Sequence, residues 1–301
     1  MKLEPSDIFI CSYPKSGTTW TQHIVISLLL LHKRIQINEL NSSTYDIEYN
    51  HVSDFAPFFE IDPHWDRKNT PSQLIPDIQK RHDQLGRRVF NTHLRGNMLP
   101  SQMKNLNSGG AKFIYIVRNP LDACVSFYHH LSHQNEGCYE SSLNQFFKDW
   151  INGRIPFGTW EDHILSYAPL IADESVLLIT YEDMILNLRV TVDRIVKYLE
   201  LDDILQERDI DELMPSFTFD AMKNNLTMFQ PKSVTWKNRF KFLRKGIIGD
   251  SSRELNEEEM STFENHLNDM NFISKLKSIL SVSQNSLDCF ERIRRIYDTN
   301  Q

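Results

Sequence analysis

A lysine, a glycine and several hydroxyl side chains are concentrated in one short run, Tyr13–Trp20, with the sequence Y-P-K-S-G-T-T-W. The run follows a β-branched and aromatic stretch typical of a strand and precedes a stretch typical of a helix. In that context, backbone N–H groups and the helix N-terminus bind an anion. Gly17 lets the backbone approach the anion, and Lys15 supplies a mobile positive charge. Hydroxyl donors come from Ser16, Thr18 and Thr19.

The position of the lysine separates this loop from the loop of the P-loop NTPases. Those proteins need G-x-x-x-x-G-K-[ST], in which the lysine follows the second glycine and a hydroxyl binds Mg²⁺. Here Lys15 precedes the only glycine of the run. A kinase is therefore the disfavoured alternative, and we expect no metal site.

Two further segments have the composition of anion sites. Arg118 comes directly after the apolar run Phe113–Val117, and Ser126 lies about two helical turns beyond it. Ligands bind at the carboxyl ends of parallel strands, where an arginine can donate two N–H groups to one phosphate. Near the other end of the chain, two adjacent cations and a glycine form the tripeptide Arg244, Lys245 and Gly246.

The bulk composition is that of an ordinary globular protein. The chain has 301 residues, of which 40% are apolar and 24% charged, and its formal net charge is −7. The acidic balance argues against a nucleic-acid partner. Four cysteines without a C-x-x-C pair argue against a zinc site or a disulfide framework. Since the chain shows neither a signal region nor an apolar stretch of membrane length, we expect a cytoplasmic protein without a membrane partner.

Short apolar runs alternate with amphipathic stretches along the chain. The pattern predicts strands at Ile8–Ser12, Arg88–Thr92, Phe113–Val117 and Val176–Thr180. It predicts helices at Thr18–Leu31, Leu121–Leu131 and Leu188–Leu199. This alternation predicts an α/β fold class, with a single domain built on a central, mainly parallel sheet flanked by helices. We assign residues 1–278 to that domain and residues 279–301 to a C-terminal tail with the pattern of a short helix.

The three anion segments, in this order, resemble those of the cytosolic sulfotransferase family, and the resemblance covers roughly Asp7 to Met270. It implies a P-loop-like sulfotransferase fold and transfer of a sulfuryl group from PAPS (3'-phosphoadenosine 5'-phosphosulfate). In the family, the lysine of Y-P-K-S-G-T-T-W contacts the sulfuryl group and the leaving phosphate, and the tryptophan packs on adenine. The resemblance gives these roles to Lys15 and Trp20.

The resemblance also assigns the rest of the nucleotide site. It implies a 3'-phosphate site formed by Arg118, Ser126, Arg244, Lys245 and Gly246. It implies adenine contacts from Tyr181, in T-Y-E-D-M, and Phe219, in T-F-D-A-M-K. By analogy, Ser126 holds Lys15 away from PAPS until the acceptor is bound.

His93 is the expected catalytic base. It follows the predicted strand Arg88–Thr92 in the run N-T-H-L, which resembles the K-T-H-L segment that carries the base of the family. Histidine is suited to proton transfer near neutral pH. The resemblance implies an in-line displacement in which Lys15 stabilises the departing oxygen. We expect the small acceptor, a hydroxyl or amine compound, to meet Phe58, His129 and His130.

Departures from the family pattern leave alternatives open. Asn91 stands where the family commonly has lysine, so a non-catalytic protein that binds PAPS or its product PAP (adenosine 3',5'-bisphosphate) is the second hypothesis. The family's dimer motif K-x-x-x-T-V-x-x-x-E is absent, so a homodimer is not assigned. After Asp250 the family usually continues with W-K-N-x-F, whereas this chain continues with S-S-R-E at residues 251–254.

Overall fold

The structure, a computed structural model, describes residues 4–39, 44–61, 65–66, 68, 73–99, 111–173 and 176–298. The strands of this part of the chain are β1 Ile8–Ser12, β2 Trp65–Asp66, β3 Gln73–Leu74, β4 Val89–Thr92, β5 Lys112–Val117 and β6 Val176–Thr180. β2 and β3 form a small antiparallel pair, and the other strands form one sheet. The bounds of β1 and β6 are those predicted from the sequence.

The central sheet has the strand order β4–β1–β5–β6, and every neighbouring pair is parallel. Ile8 is in register with Val89 on one side and with Lys112 on the other. Because the strands run in one direction, their carboxyl ends lie along one edge of the sheet, where parallel sheets bind ligands. The predicted α/β class with a parallel sheet flanked by helices is confirmed.

Apolar side chains on both faces of the sheet explain why these runs become strands. All five residues of β1 are buried, as expected for a sheet that is covered on two sides. Phe9 stacks between Phe90 and Phe113 of the neighbouring strands, with ring centroids 5.2 and 5.3 Å apart. Ile8 and Ile10 point to the opposite face and join a second apolar cluster.

Helices cover both faces of this sheet. They are α1 Thr18–Gln36, α2 Val52–Phe55, α3 Pro76–Leu85, α4 Pro120–Ser132, α5 Leu143–Ile151, α6 Trp160–Ala172, α7 Tyr181–Leu186, α8 Leu188–Tyr198, α9 Glu207–Leu213, α10 Phe219–Asn224, α11 Glu257–Asp269, α12 Phe272–Leu280 and α13 Gln284–Asp298. α1 continues past its predicted end at Leu31, and its last turn carries Lys33 and Arg34, which suit the negative end of a helix dipole. Among the described residues, no helix is long and apolar enough to cross a membrane.

The last helix packs into the core. In α13, Phe290, Ile293 and Ile296 are buried within the same apolar cluster as Phe9. The Ile296 carbonyl also accepts a hydrogen bond of 2.8 Å from Asn119 Nδ2. Because Asn119 follows Arg118 directly, the tail helix supports the backbone that carries this arginine.

This packing predicts that truncation of one buried isoleucine of α13 lowers the stability of the protein strongly. Ile293→Ala is expected to lower the free energy of unfolding by about 2–5 kcal/mol, because the isoleucine is fully buried. Val282→Ala, in the exposed turn before α13, should change it by less than about 0.5 kcal/mol. Urea unfolding measures both variants. Equal, small effects would show that α13 does not contribute to the core.

Candidate active site

A cavity of about 840 Å³ opens at the carboxyl edge of the central sheet. The residues that follow the four strands line it: Lys15 in the loop after β1, His93 after β4, Arg118 after β5 and Tyr181 after β6. The same topology that makes the sheet parallel therefore brings four side chains from distant parts of the chain to one place.

The loop after β1, residues 13–17, makes a tight turn into α1. Lys15 and Gly17 both have left-handed backbone conformations, with φ of 67° and 107°. A Cβ atom on Gly17 would lie 3.1 Å from the ring of Tyr181, so the loop passes close beneath that ring. Ser12 Oγ and Thr18 Oγ1 lie 2.6 Å apart and close the loop at its two ends.

Two buried donors at this loop have no hydrogen-bond partner among the described residues: Ser16 Oγ and Arg118 Nε. Leaving a buried polar group unpaired costs about 1–3 kcal/mol, and a ligand that accepts from these two donors would recover that cost. Other atoms of Arg118 are fixed, since Nη1 donates to the Lys15 carbonyl at 3.1 Å and the guanidinium lies 4.3 Å from the Tyr181 ring centroid. Arg118 Nε is therefore fixed beside the loop, and both orphaned donors fit a ligand that accepts hydrogen bonds.

The Lys15 ammonium is held by two aromatic rings. Lys15 Nζ lies 3.5 Å from His130 Nδ1 and 4.1 Å from the ring centroid of Phe242. Burial, with the charges of Arg118 and Arg244, lowers the pKa of Lys15 to about 7. The described contacts of this ammonium do not include Ser126, the residue expected to hold it, although Ser126 lines the same cavity.

His93 is oriented by backbone groups. Its Nδ1 lies 2.8 Å from the Ser12 carbonyl oxygen, which can only accept, so Nδ1 carries the proton. Nε2 is then the basic nitrogen. The His93 backbone N–H donates to Glu60 Oε1 at 3.0 Å. Burial and the charge of Lys15 lower the pKa of the imidazole to about 4, so His93 is neutral at physiological pH.

Aromatic rings flank this imidazole. Phe58 and Phe157 each lie with their ring centroids 5.2 Å from that of His93. Asn91 holds Phe58 in position, because its N–H donates to the Pro57 carbonyl and its Nδ2 donates to the Ala56 carbonyl at 2.6 Å. Asn91 thus positions a wall of the cavity without adding charge.

A second set of aromatic rings lies on the α1 side of the cavity. Trp20 and Tyr181 meet edge to face, with centroids 6.0 Å apart, and Trp20 Nε1 donates to the Phe217 carbonyl at 2.7 Å. Phe219 lies against Gly246, where a Cβ atom would come within 2.5 Å of the ring. Trp20, Tyr181 and Phe219 all line the cavity and form flat walls that suit a planar ligand.

The segment 242–250 closes the cavity on the side of α4. Asp122 of α4 accepts hydrogen bonds of 2.8 Å from the N–H groups of Gly249 and Ser251, which fixes the segment. Arg244 and Lys245 line the cavity and both bond to Asp250. Two cations of this segment thus line the same cavity as Lys15.

The sequence model of the sulfotransferase domain family matches residues 5–278 of this chain. The chain belongs to the sulfotransferase domain family. Among similar curated proteins, sulfotransferase 1C2 of Rattus norvegicus is 29% identical, over 83% of this chain and 77% of its own length. Luciferin sulfotransferase of Photinus pyralis is 31% identical, over 87% of this chain and 71% of its own length.

Solved structures share the fold of this sulfotransferase-family chain. A mouse sulfotransferase complexed with PAP has a TM-score of 0.60 and 22% identity, and the match covers 97% of this chain and 90% of the other. A retinol dehydratase in complex with retinol and PAP has a TM-score of 0.66 and 22% identity, over 89% and 82% of the two chains.

Most of the residues predicted from the sequence meet around the cavity of this family member. Two predicted residues in the described part of the chain, Ser16 and His129, do not line the cavity. His129 instead bonds to Glu254, with Nε2 and Oε2 2.6 Å apart. Ser16 lies between lining residues and is buried.

Phe157 was missed by sequence reasoning. The sequence feature that could have indicated Phe157 is its position between Pro156 and Gly158. Phe157 has a left-handed backbone conformation, with φ of 75°.

The contact between Gly246 and Phe219 predicts unequal effects of alanine at two similar glycines. Gly246 and Gly249 have φ of 67° and 75°, so alanine at either position costs about 1–2 kcal/mol of backbone strain. Gly246→Ala also collides with Phe219 and should cost about 1–3 kcal/mol more. Gly249→Ala meets no described atom within 4 Å. Chemical unfolding compares the two variants, and equal costs would contradict the close packing on Phe219.

Proposed function

We propose that this protein transfers a sulfuryl group from PAPS to a hydroxyl or amine group of a small, apolar acceptor. The observation that carries the proposal is the pair of buried, unpartnered donors, Ser16 Oγ and Arg118 Nε, at a cavity that also contains a neutral histidine. The family assignment of the chain supports the reaction class. The PAP in the fold relatives supports the choice of nucleotide.

The residues around the cavity fit PAPS at both of its phosphate ends. For the 5' end we assign the loop donors Lys15, Ser16, Gly17, Thr18 and Thr19. For the 3'-phosphate we assign Arg118, Ser126, Arg244, Lys245 and Gly246. For the adenine we assign the flat walls Trp20, Tyr181 and Phe219. When bound, PAPS supplies an activated sulfuryl group and a phosphate leaving group.

His93 serves as the general base in this proposal. The Ser12 carbonyl holds the proton on Nδ1, so Nε2 is free to accept the proton of the acceptor hydroxyl as the new O–S bond forms. The low pKa keeps the imidazole unprotonated before the reaction, and the transferred proton leaves it as an imidazolium. Glu60, which accepts the His93 backbone N–H, fixes the backbone that carries this ring.

Lys15 balances charge on the leaving side. Its ammonium can leave His130 and Phe242 by rotation of its own side chain and meet the oxygen on which negative charge develops. Arg118 donates to the Lys15 carbonyl and so ties the loop to the 3'-phosphate site.

The acceptor side is lined by Phe58, Phe157 and His130. The two phenylalanines flank His93 and suit an apolar ring, while His130 adds one polar group. Among the relatives, one is named for luciferin and another for amines, which supports a small organic acceptor. The thiols of Cys11, Cys124 and Cys138 form no disulfide, which supports the reducing cytoplasm as the compartment.

The base assignment predicts a variant that binds nucleotide but transfers poorly. His93→Ala should lower kcat by about 10²- to 10⁴-fold, because it removes the group assigned to take the acceptor proton, and should leave the affinity for PAP unchanged. The assay incubates the protein with PAPS and a panel of phenols, steroids and amines and detects the sulfated product by mass. His32→Gln, on the surface pair with Asp203, is the matched control and should retain activity.

Other outcomes of this assay separate the alternatives. PAP binding without turnover on the whole panel would favour a non-catalytic PAPS-binding protein. Turnover that needs ATP and Mg²⁺ would favour a kinase. A His93→Ala variant with normal kcat would refute the proposed base.

The environment of Lys15 predicts proton uptake when PAP binds. With a pKa of about 7, most Lys15 side chains are neutral at about pH 8, and a bound phosphate dianion raises this pKa, so about one proton is taken up per PAP. Calorimetry in buffers of different ionisation enthalpy measures this number. Lys15→Met should remove the uptake. An uptake that is equal in wild type and variant would contradict the assignment.

A further inference from the structure

A charged cluster lies beside the 3'-phosphate segment and is only partly used by the proposed mechanism. Glu254 Oε1 accepts hydrogen bonds of 3.1 Å from both Arg244 Nη1 and Lys245 Nζ. Glu254 Oε2 lies 2.6 Å from His129 Nε2. Asp250 also bonds to both cations, at 2.6 Å from Lys245 Nζ and in a shorter contact with Arg244 Nη2. Both cations of the segment are therefore paired within the protein.

The charges of this cluster cancel. Arg244 and Lys245 contribute two positive charges, and Asp250 and Glu254 contribute two negative ones. Burial lowers the pKa of His129, which keeps this imidazole from adding a further charge. A phosphate that enters here meets a neutral cluster and must share its donors with two carboxylates.

The two carboxylates differ in their positions. The Asp250 side chain is 2% exposed and lines the cavity, whereas the Glu254 side chain is 22% exposed and is not among the lining residues. Because Asp250 alone already bonds to both cations, their orientation does not require a second carboxylate. What Glu254 adds is a negative charge close to the phosphate-binding donors.

We infer that Glu254 is a positioning residue that weakens the hold of Arg244 and Lys245 on the 3'-phosphate and thereby limits nucleotide affinity and speeds product release. The inference rests on the proposed function, since it assumes that these cations bind the 3'-phosphate. PAPS and PAP carry the same 3'-phosphate, so Glu254 affects substrate and product binding alike. Its effect should therefore appear in KM and in PAP affinity, without an increase in kcat.

The test removes the charge and compares two nucleotides that differ only at the 3' position. Glu254→Gln should tighten PAP binding by about three- to tenfold, because it removes one negative charge beside the donors of a partly exposed phosphate. Its affinity for adenosine 5'-monophosphate, which lacks the 3'-phosphate, should not change. KM for PAPS should fall, and kcat should stay equal or fall as release slows. Calorimetry and initial rates give these values.

The matched control is Glu257→Gln. Glu257 is an exposed glutamate in the first turn of α11, and its substitution removes the same charge three residues away from Glu254. It should leave both affinities unchanged, which separates a local effect from a change in net charge. Glu254→Ser repeats the neutralisation with a smaller side chain if the glutamine variant unfolds.

The outcomes distinguish the inference from the function on which it rests. If wild type binds PAP and Glu254→Gln binds it equally or more weakly, Glu254 orients the cations or is neutral, and the inference is wrong while the proposed function stands. Tighter binding of both nucleotides would also overturn it, because the effect would not depend on the 3'-phosphate. Failure of wild type and variant to bind PAP would refute the proposed function together with the inference.

Discussion

The parallel direction of β4, β1, β5 and β6 is the constraint on which the rest of the structure depends. Each strand ends at the same edge, so the residue or loop that follows it must lie there. This brings together Lys15, His93, Arg118 and Tyr181, which span more than half of the chain. Apolar side chains pack on both faces of the sheet, and chemistry that needs fixed distances can be built on such a packed framework.

Several polar groups at this edge are held in arrangements that cost stability. Ser16 Oγ and Arg118 Nε are buried without a described partner, and Lys15 adopts a left-handed backbone conformation. Such strain persists where the surrounding structure enforces it. Here Arg118 is held by the Lys15 carbonyl and the Tyr181 ring, which keeps its Nε in place at the edge.

The local parts of this arrangement could be predicted from the sequence, and the long-range parts could not. Strands β1 and β6 have buried apolar residues and clear boundaries, and the loop after β1 has a specific pattern, so their positions follow from short windows of sequence. The contact of Lys15 with His130 joins residues 115 positions apart. The pairing of His129 with Glu254 spans 125 positions and moves a predicted pocket residue to another cluster. Such pairings depend on the packing of α4 against the loop after β1 and against residues 251–254, which no local pattern encodes.

A crystal structure with bound PAP tests the central claim most directly, namely that the cavity at this edge is built for a nucleotide with two phosphate ends. The account predicts that one phosphate of PAP accepts from Ser16 Oγ and the other from Arg118 Nε, with adenine between Trp20 and Phe219. PAP bound elsewhere, or bound in the cavity with both donors still unpaired, would contradict it.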